Sequence, residues 1–294
     1  MFGAAAPEAP YTNGIERVRR LAAPSDRNAV CQRSDLQSRI KNLRPMEPDR
    51  IADLLEPFLA SSTRSFEPCH SEARSARESA VLSVTQLQNI STYIDILLHW
   101  NSRINLTAIR DKEQIVTRHF GESLFAARHL FPRCSSVVKG CEVADVGSGA
   151  GFPGIPLKLW VPQISLTLIE SNQKKATFLK EVTRALTLTD INIQTTRAES
   201  LAGASFAVVT LRAVERFESI LPVAAELVAP GGRLALLIGQ AQMQQAQSAL
   251  PALSWLDPIA IPASQSRVLA IACKRRRPVE NPTPNQESNK WDEV

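Results

Sequence analysis

Cysteine is scarce in this chain, with five in 294 residues at positions 31, 69, 134, 141 and 273. The number is odd and no two stand at the two-residue spacing of a zinc knuckle or redox pair, which argues against a disulfide scaffold and a structural zinc site. No basic segment followed by an apolar run opens the chain, and nowhere do about 18 apolar residues occur together, so neither a secretory leader nor a membrane-spanning helix is expected. Aromatic residues make up only 5%, and the charge excess is small: 34 Lys plus Arg against 29 Asp plus Glu, a net +5. That balance leans toward polyanionic partners without specifying one. The expectation is a soluble protein of the reducing cytoplasm.

Hydrophobic residues at 44% and charged residues at 21% exclude a wholly disordered, collagen-like or coiled-coil chain. Residues 1–80, rich in Ala, Arg, Ser, Pro and Glu, read as a poorly ordered extension. Within it, Ile51, Leu54, Leu55 and Phe58 recur at helical spacing and predict one short helix over 48–59. Met46 directly precedes that helix, which suggests translation from Met46, a reading that an intact mass from the native host tests. Residues 81–135 read as a helical cap. Ser83 and Gln86 have capping-box spacing, Leu87, Ile90, Ile94, Leu97 and Leu98 follow on one face, and a second helix opens near Asp111.

From Cys141 short apolar runs alternate with helical stretches, the pattern of a parallel sheet with covering helices. The runs predict strands at 142–146, 165–169, 191–195, 206–211, 233–238 and 268–273, and helices most clearly at 174–186 and 217–228. The α/β domain thus spans 136–273. Lys274, Arg275, Arg276 and Arg277 then open a basic tail, 274–294, too polar to pack a core. That tail is read as solvated more readily than as a phosphate contact.

Gly147, Gly149, Gly151 and Gly154 sit where the first strand turns toward the first helix, and such glycines let a backbone approach a ligand. Gly149, Gly151 and Gly154 formally satisfy the dinucleotide fingerprint, so the spacing alone fits a nicotinamide or an S-adenosylmethionine site. Pro153 and Pro156 are expected to disturb a helix that would receive a pyrophosphate, which favours the phosphate-free cofactor. Glu170 ends the second strand, where a carboxylate can accept from ribose hydroxyls or cap the helix that follows. Arg212 follows the fourth strand, where its fork suits a carboxylate or phosphate.

Taken in order, Asn105-Leu106-Thr107, Arg118-His119-Phe120, Glu122-Ser123-Leu124, the 145–157 string, Ile169-Glu170-Ser171, Lys174-Lys175, Arg197-Ala198-Glu199 and Arg212-Ala213-Val214 resemble the bacterial 16S ribosomal RNA guanine-N7 methyltransferase G family, also called glucose-inhibited division protein B. The resemblance covers about residues 84–240. It implies a class I S-adenosylmethionine-dependent methyltransferase: a Rossmann-like, doubly wound sheet of seven strands, the last antiparallel, with a small N-terminal helical cap. It also implies S-adenosylmethionine as cofactor, a decoding-region guanine of 16S rRNA as substrate and the small ribosomal subunit as partner, with no metal and a monomeric chain. Carried over, Gly147, Gly149 and Phe152 line the cofactor, Glu170 its ribose, Ala198 and Glu199 its adenine end, and Arg212 the methionine side or the incoming nucleotide.

Arg118, His119 and Arg128, on or beside the second cap helix, are the candidate contacts to RNA phosphate. Lys174 and Lys175 read as a solvated helix face, and Cys134 and Cys141 as small apolar residues. A nicotinamide-dependent oxidoreductase remains the rival from the glycine spacing. A binding factor without catalysis is the other rival, because Ile238 stands where the family commonly carries lysine before a glycine. The absence of a cysteine near the edge after strand four argues against cytosine-C5 chemistry, which needs a covalent nucleophile.

Overall fold

The computed structural model describes residues 45–60, 82–131, 140–214 and 216–276. The first 44 residues, Cys31, Cys69, Cys134, Arg277 and the rest of the tail lie outside the described residues.

Among the described residues the first element is helix α1 (Pro48–Leu59), which places Pro48 in the first turn, where a missing N–H costs nothing. Ile51, Leu55 and Phe58 fall on one face and are fully buried. The reading of 1–80 as a poorly ordered extension therefore fails for 45–60, because those apolar residues find a partner in the cap. Helix α2 (Val84–Asn101) starts at the expected capping box: Ser83 Oγ accepts from Gln86 N–H at 3.2 Å and Gln86 Oε1 accepts from Ser83 N–H at 2.8 Å. The second cap helix begins at Asp111, which accepts the N–H of Gln114, and it is not uniform. An α-helical turn α3 (Lys112–Gln114) runs into a π-helical segment (Ile115–Gly121) and then α4 (Glu122–Leu130). Such a change of helical register re-aims the side chains it carries.

Among the described residues eight strands follow: β1 (Glu142–Val146), β2 (Ser165–Ile169), β3 (Ile191–Gln194), β4 (Phe206–Arg212), β5 (Val228–Gly239), β6 (Ser254–Trp255), β7 (Ile259–Ala260) and β8 (Arg267–Cys273). Their order is β3-β2-β1-β4-β5-β8-β6, with β7 also paired to β8. The pairings from β3 to β5 are parallel, and β8 runs antiparallel to β5. The antiparallel last strand matches the expectation. The count differs from seven because β7, a two-residue strand, adds to the edge of β8.

Alternate residues of each strand feed different cores, as the two-residue period requires. Val143, Leu237 and Leu269 join the core beneath α1, α2, α4, α5 (Gly154–Trp160) and α6 (Gln173–Ala185). Ala144, Leu236 and Ala270 join the core beneath α7 (Phe217–Glu226) and α8 (Met243–Ala249). Both faces are thus covered, which is the doubly wound arrangement that puts strand ends at one open edge. Helix α5 forms although prolines stand at 153 and 156, against the expectation that they would disturb it. Pro153 precedes the helix and Pro156 lies in its first turn, where no intrahelical N–H bond is due.

Candidate active site at the carboxyl edge of the sheet

After β1 the backbone enters the left-handed region at Gly147, Gly149 and Gly151, with φ of 68°, 56° and 84°. A side chain is excluded there twice over, since a Cβ on Gly147 would lie 2.9 Å from Val214 and one on Gly151 would strike the Tyr93 hydroxyl. Two buried carboxylates staple the loop. Asp145 accepts from Gly154 N–H at 3.2 Å and from the Thr210 hydroxyl at 2.7 Å, while burial pushes its carboxyl up to about 6. Glu170 accepts from Gly149 N–H at 2.9 Å and from Asn172 N–H at 2.8 Å. The loop therefore holds its shape through contacts within the chain.

The loop forms one wall of a cleft of about 760 Å³. Gly147, Gly149, Phe152, Glu170, Ala198, Glu199 and Arg212 all line it, so every residue assigned to the cofactor comes together. Ala198 and Glu199 reach it from a single 3₁₀ turn, Ala198–Leu201. Arg212 is the last residue of β4 rather than the first beyond it, and Ala213, at φ 49°, turns the chain away.

The opposite wall belongs to the cap. Asn101 accepts from the N–H groups of Leu106 and Thr107 and donates to Thr107 O, fixing a turn that presents Thr107 to the cleft. The His119 ring stacks on Phe152 at 4.8 Å, and Phe152 stacks on Tyr93 at 5.3 Å. His119 Nδ1 faces Arg212 Nη2 at 3.1 Å and its Nε2 faces Thr107 Oγ1 at 2.8 Å. Arginine only donates, so Nδ1 accepts and the proton sits on Nε2, directed at Thr107. Burial, followed by the charges of Arg212, Arg267 and Arg118, lowers His119 from 6.5 to about 3. It is neutral at physiological pH and packs on Phe152 while lining the cleft.

Glu122, on the first turn of α4, is 1% exposed and touches three arginines from three elements. Arg118 Nε of the π-helical segment approaches Oε1 at 3.0 Å, and Nη2 of Arg212 and of Arg267 on β8 each approach Oε2 at 3.1 Å. All three guanidinium groups line the cleft. Burial brings Arg212 down to about 10, opposed by Glu122, so it remains a cation at neutral pH.

The family model for rRNA small subunit methyltransferase G matches residues 86–263, which takes in the cap turn, the glycine loop and nearly the whole sheet. The chain belongs to that family. The rRNA small subunit methyltransferase G of Halorhodospira halophila is 38% identical over 197 residues, covering 66% of this chain and 90% of its own. That of Chloroflexus aggregans is 37% identical over 205 residues, covering 66% and 84%. Among solved structures, an O-methyltransferase of Thermotoga maritima superposes with a TM-score of 0.45 at 16% identity, over 63% of this chain and 72% of that one.

Within this member of the rRNA small subunit methyltransferase G family, Arg128 does not join the cleft. Its Nη1 donates to Ala60 O at 2.5 Å and Phe58 O at 3.4 Å, closing the end of α1, which corrects its reading as an RNA contact. Lys175 lines the cleft, whereas Lys174 does not. Lys274 is no free tail cation either: it donates to the carbonyls of Ala225, Glu226 and Val228 where α7 ends. Ile238 is buried and lines a smaller cavity of about 140 Å³ beside the cleft, with Gly239 and Gln242.

Sequence reasoning gave no role to Thr107, Glu122 or Arg267, although the first two lie in the quoted motifs. No local spacing joins Arg267 to residue 122; only the placement of β8 beside β5 does.

Proposed function

We propose that the cleft binds S-adenosylmethionine and presents it to N7 of a decoding-region guanine in 16S rRNA, with the small ribosomal subunit as partner, the chain acting as a cytoplasmic monomer. The observation that carries this reading is the pairing of a preshaped glycine loop, stapled to Glu170, with a cleft wall of three arginines. A nucleoside fits the first and a polyanion the second. Among the described residues no group of three His, Cys, Asp or Glu is placed to hold a metal, and no helix is long and apolar enough to cross a membrane.

The residues fit the cofactor. Gly147, where a Cβ would lie 2.9 Å from Val214, leaves backbone rather than side chain at the cleft surface, and the second lone pairs of the Glu170 oxygens suit ribose hydroxyls. Bound there, S-adenosylmethionine supplies an electrophilic methyl group on a sulfonium. Guanine N7 is unprotonated at neutral pH, so the protein has no proton to remove before attack and needs no general base. Its work is to orient the two reactants and to exclude water. Phe152 and His119 close the cap side with two stacked faces, while Ala198 and Glu199 bound the far end. Methylated N7 leaves the purine positively charged, a charge that acceptors facing the ring would stabilise.

Methyl transfer from labelled S-adenosylmethionine to small subunits lacking N7-methylguanine tests the reading. The expected result is one labelled decoding-region guanine, located by mass spectrometry of nuclease fragments. Cofactor binding without transfer supports a binding factor instead, and absence of cofactor binding overturns the site.

A further inference from the structure

The arginine cluster contains more positive charge than its buried carboxylate can neutralise. Glu122 contributes one negative charge against three guanidinium groups, so the wall carries a net charge of about +2 next to the cleft. The arrangement is not an ordinary surface ion pair: Arg118 is 45% exposed and Arg267 22% exposed, whereas Glu122 is 1% exposed and Arg212 7%. The carboxylate and Arg212 sit behind, and Arg118 and Arg267 stand in front. Neither contact to Glu122 Oε2 has hydrogen-bond geometry, so Arg212 and Arg267 are held there by Coulomb attraction in a region that water does not reach. Arg267 Nε is itself buried without a hydrogen-bond partner among the described residues, and the residue lines the cleft. Only Arg212 has firm additional bonds, to the carbonyl of Arg118 at 2.6 Å and to His119.

We propose that Glu122 is a positioning residue: by holding Arg118, Arg212 and Arg267 together on the cleft wall, it presets them as a receptor for a phosphodiester of the substrate RNA. The proposal rests on the reading of the cleft as an rRNA methylation site, and it concerns binding of the RNA rather than of the cofactor. Planar forks meet phosphate oxygens bidentately, and their value depends on their being aimed before the ligand arrives. Three guanidinium groups gathered without a carboxylate behind them repel one another. Glu122 is thus a negative charge whose presence improves the binding of another negative group.

That sign makes the proposal testable. In Glu122→Gln the side chain keeps its shape and loses the attraction. The expected result, in steady-state methylation of unmethylated small subunits, is a KM for subunits raised about tenfold with kcat and the affinity for S-adenosylhomocysteine within about twofold of wild type. Glu122→Asp, which keeps the charge, restores most of the loss. If Glu122 merely damped the positive field, Glu122→Gln would lower the KM, and that result overturns the proposal, as does an unchanged KM. Should Glu122→Gln fail to bind S-adenosylhomocysteine because it does not fold, Arg267→Lys decides: it keeps the charge and loses the fork, so a raised KM for subunits supports the receptor and an unchanged one overturns it. Wild-type protein that binds the cofactor and leaves subunits unmethylated overturns the underlying reading, and this proposal with it, before any variant is made.

Discussion

His119 and Asp145 couple the site to pH in opposite directions. His119 is lowered from 6.5 to about 3 on folding, so between those values the unfolded chain binds the extra proton and stability falls as the pH falls. Asp145 is raised from 3.8 to about 6, so the folded chain binds the extra proton in that narrower window and gains stability as the pH falls. Replacing His119 by Gln removes the first effect alone. Between pH 7.5 and pH 5, urea unfolding should show the variant gaining about 1–2 kcal/mol relative to wild type, the linkage expected over the part of the window crossed. An identical pH dependence in the two proteins would contradict the buried, neutral imidazole. At the same scale, Gly151→Ala places a Cβ against the Tyr93 hydroxyl and 2.7 Å from Ile155 at a φ of 84°. A loss of about 2–4 kcal/mol in denaturant unfolding is expected, together with loss of S-adenosylhomocysteine binding. The glycines were legible because a left-handed turn demands them. For His119 the motif shows only a basic residue beside an arginine, open to a phosphate contact or a packing role, whereas its charge is decided first by burial and then by Arg212, Arg267 and the adjacent Arg118.

Among the elements, α1 shows how composition over a long window hides a local signal. Residues 1–80 are rich in Ala, Arg, Ser, Pro and Glu, yet Ile51, Leu55 and Phe58 lie in the same core as Tyr93, Ile115 and Phe120. Phe58 packs so closely on the π-helical segment that a Cβ on Gly121 would lie 2.6 Å from its ring. Since that segment carries Arg118 and His119, α1 supports the cap wall of the cleft from behind. Phe58→Ala should cost about 3–5 kcal/mol by denaturant unfolding. A chain starting at Met46, whose carbonyl accepts from Ser91 at 2.8 Å, should retain the stability of the full chain, and one starting after residue 60 should lose it, as chemical unfolding of the two would reveal. The strands β1 and β2 coincide with their apolar runs because both faces are buried there. The missed pieces, α8, β6, β7 and the π-helical register, are short and draw their stability from tertiary neighbours rather than from a periodic pattern.

Over the whole molecule the charge excess is +5, and the cleft concentrates part of it in one wall. Subunit binding should therefore weaken as salt rises, through release of counterions from the RNA. Arg118→Ala, which removes the most exposed cation of the cluster, should lower the magnitude of the slope of log affinity against log salt by about 0.7–0.9, read by filter binding over a salt series. A slope equal to that of wild type would place Arg118 away from the phosphates.

The strand order also dictates when the wall exists. β8 follows every other strand along the chain yet inserts between β5 and β6, and it brings Arg267 with it. During synthesis, the glycine loop and the parallel strands can assemble first, leaving the flank of β5 as an unpaired edge open to stray pairing with other chains. Emergence of β8 closes that edge and, in the same event, supplies the third arginine.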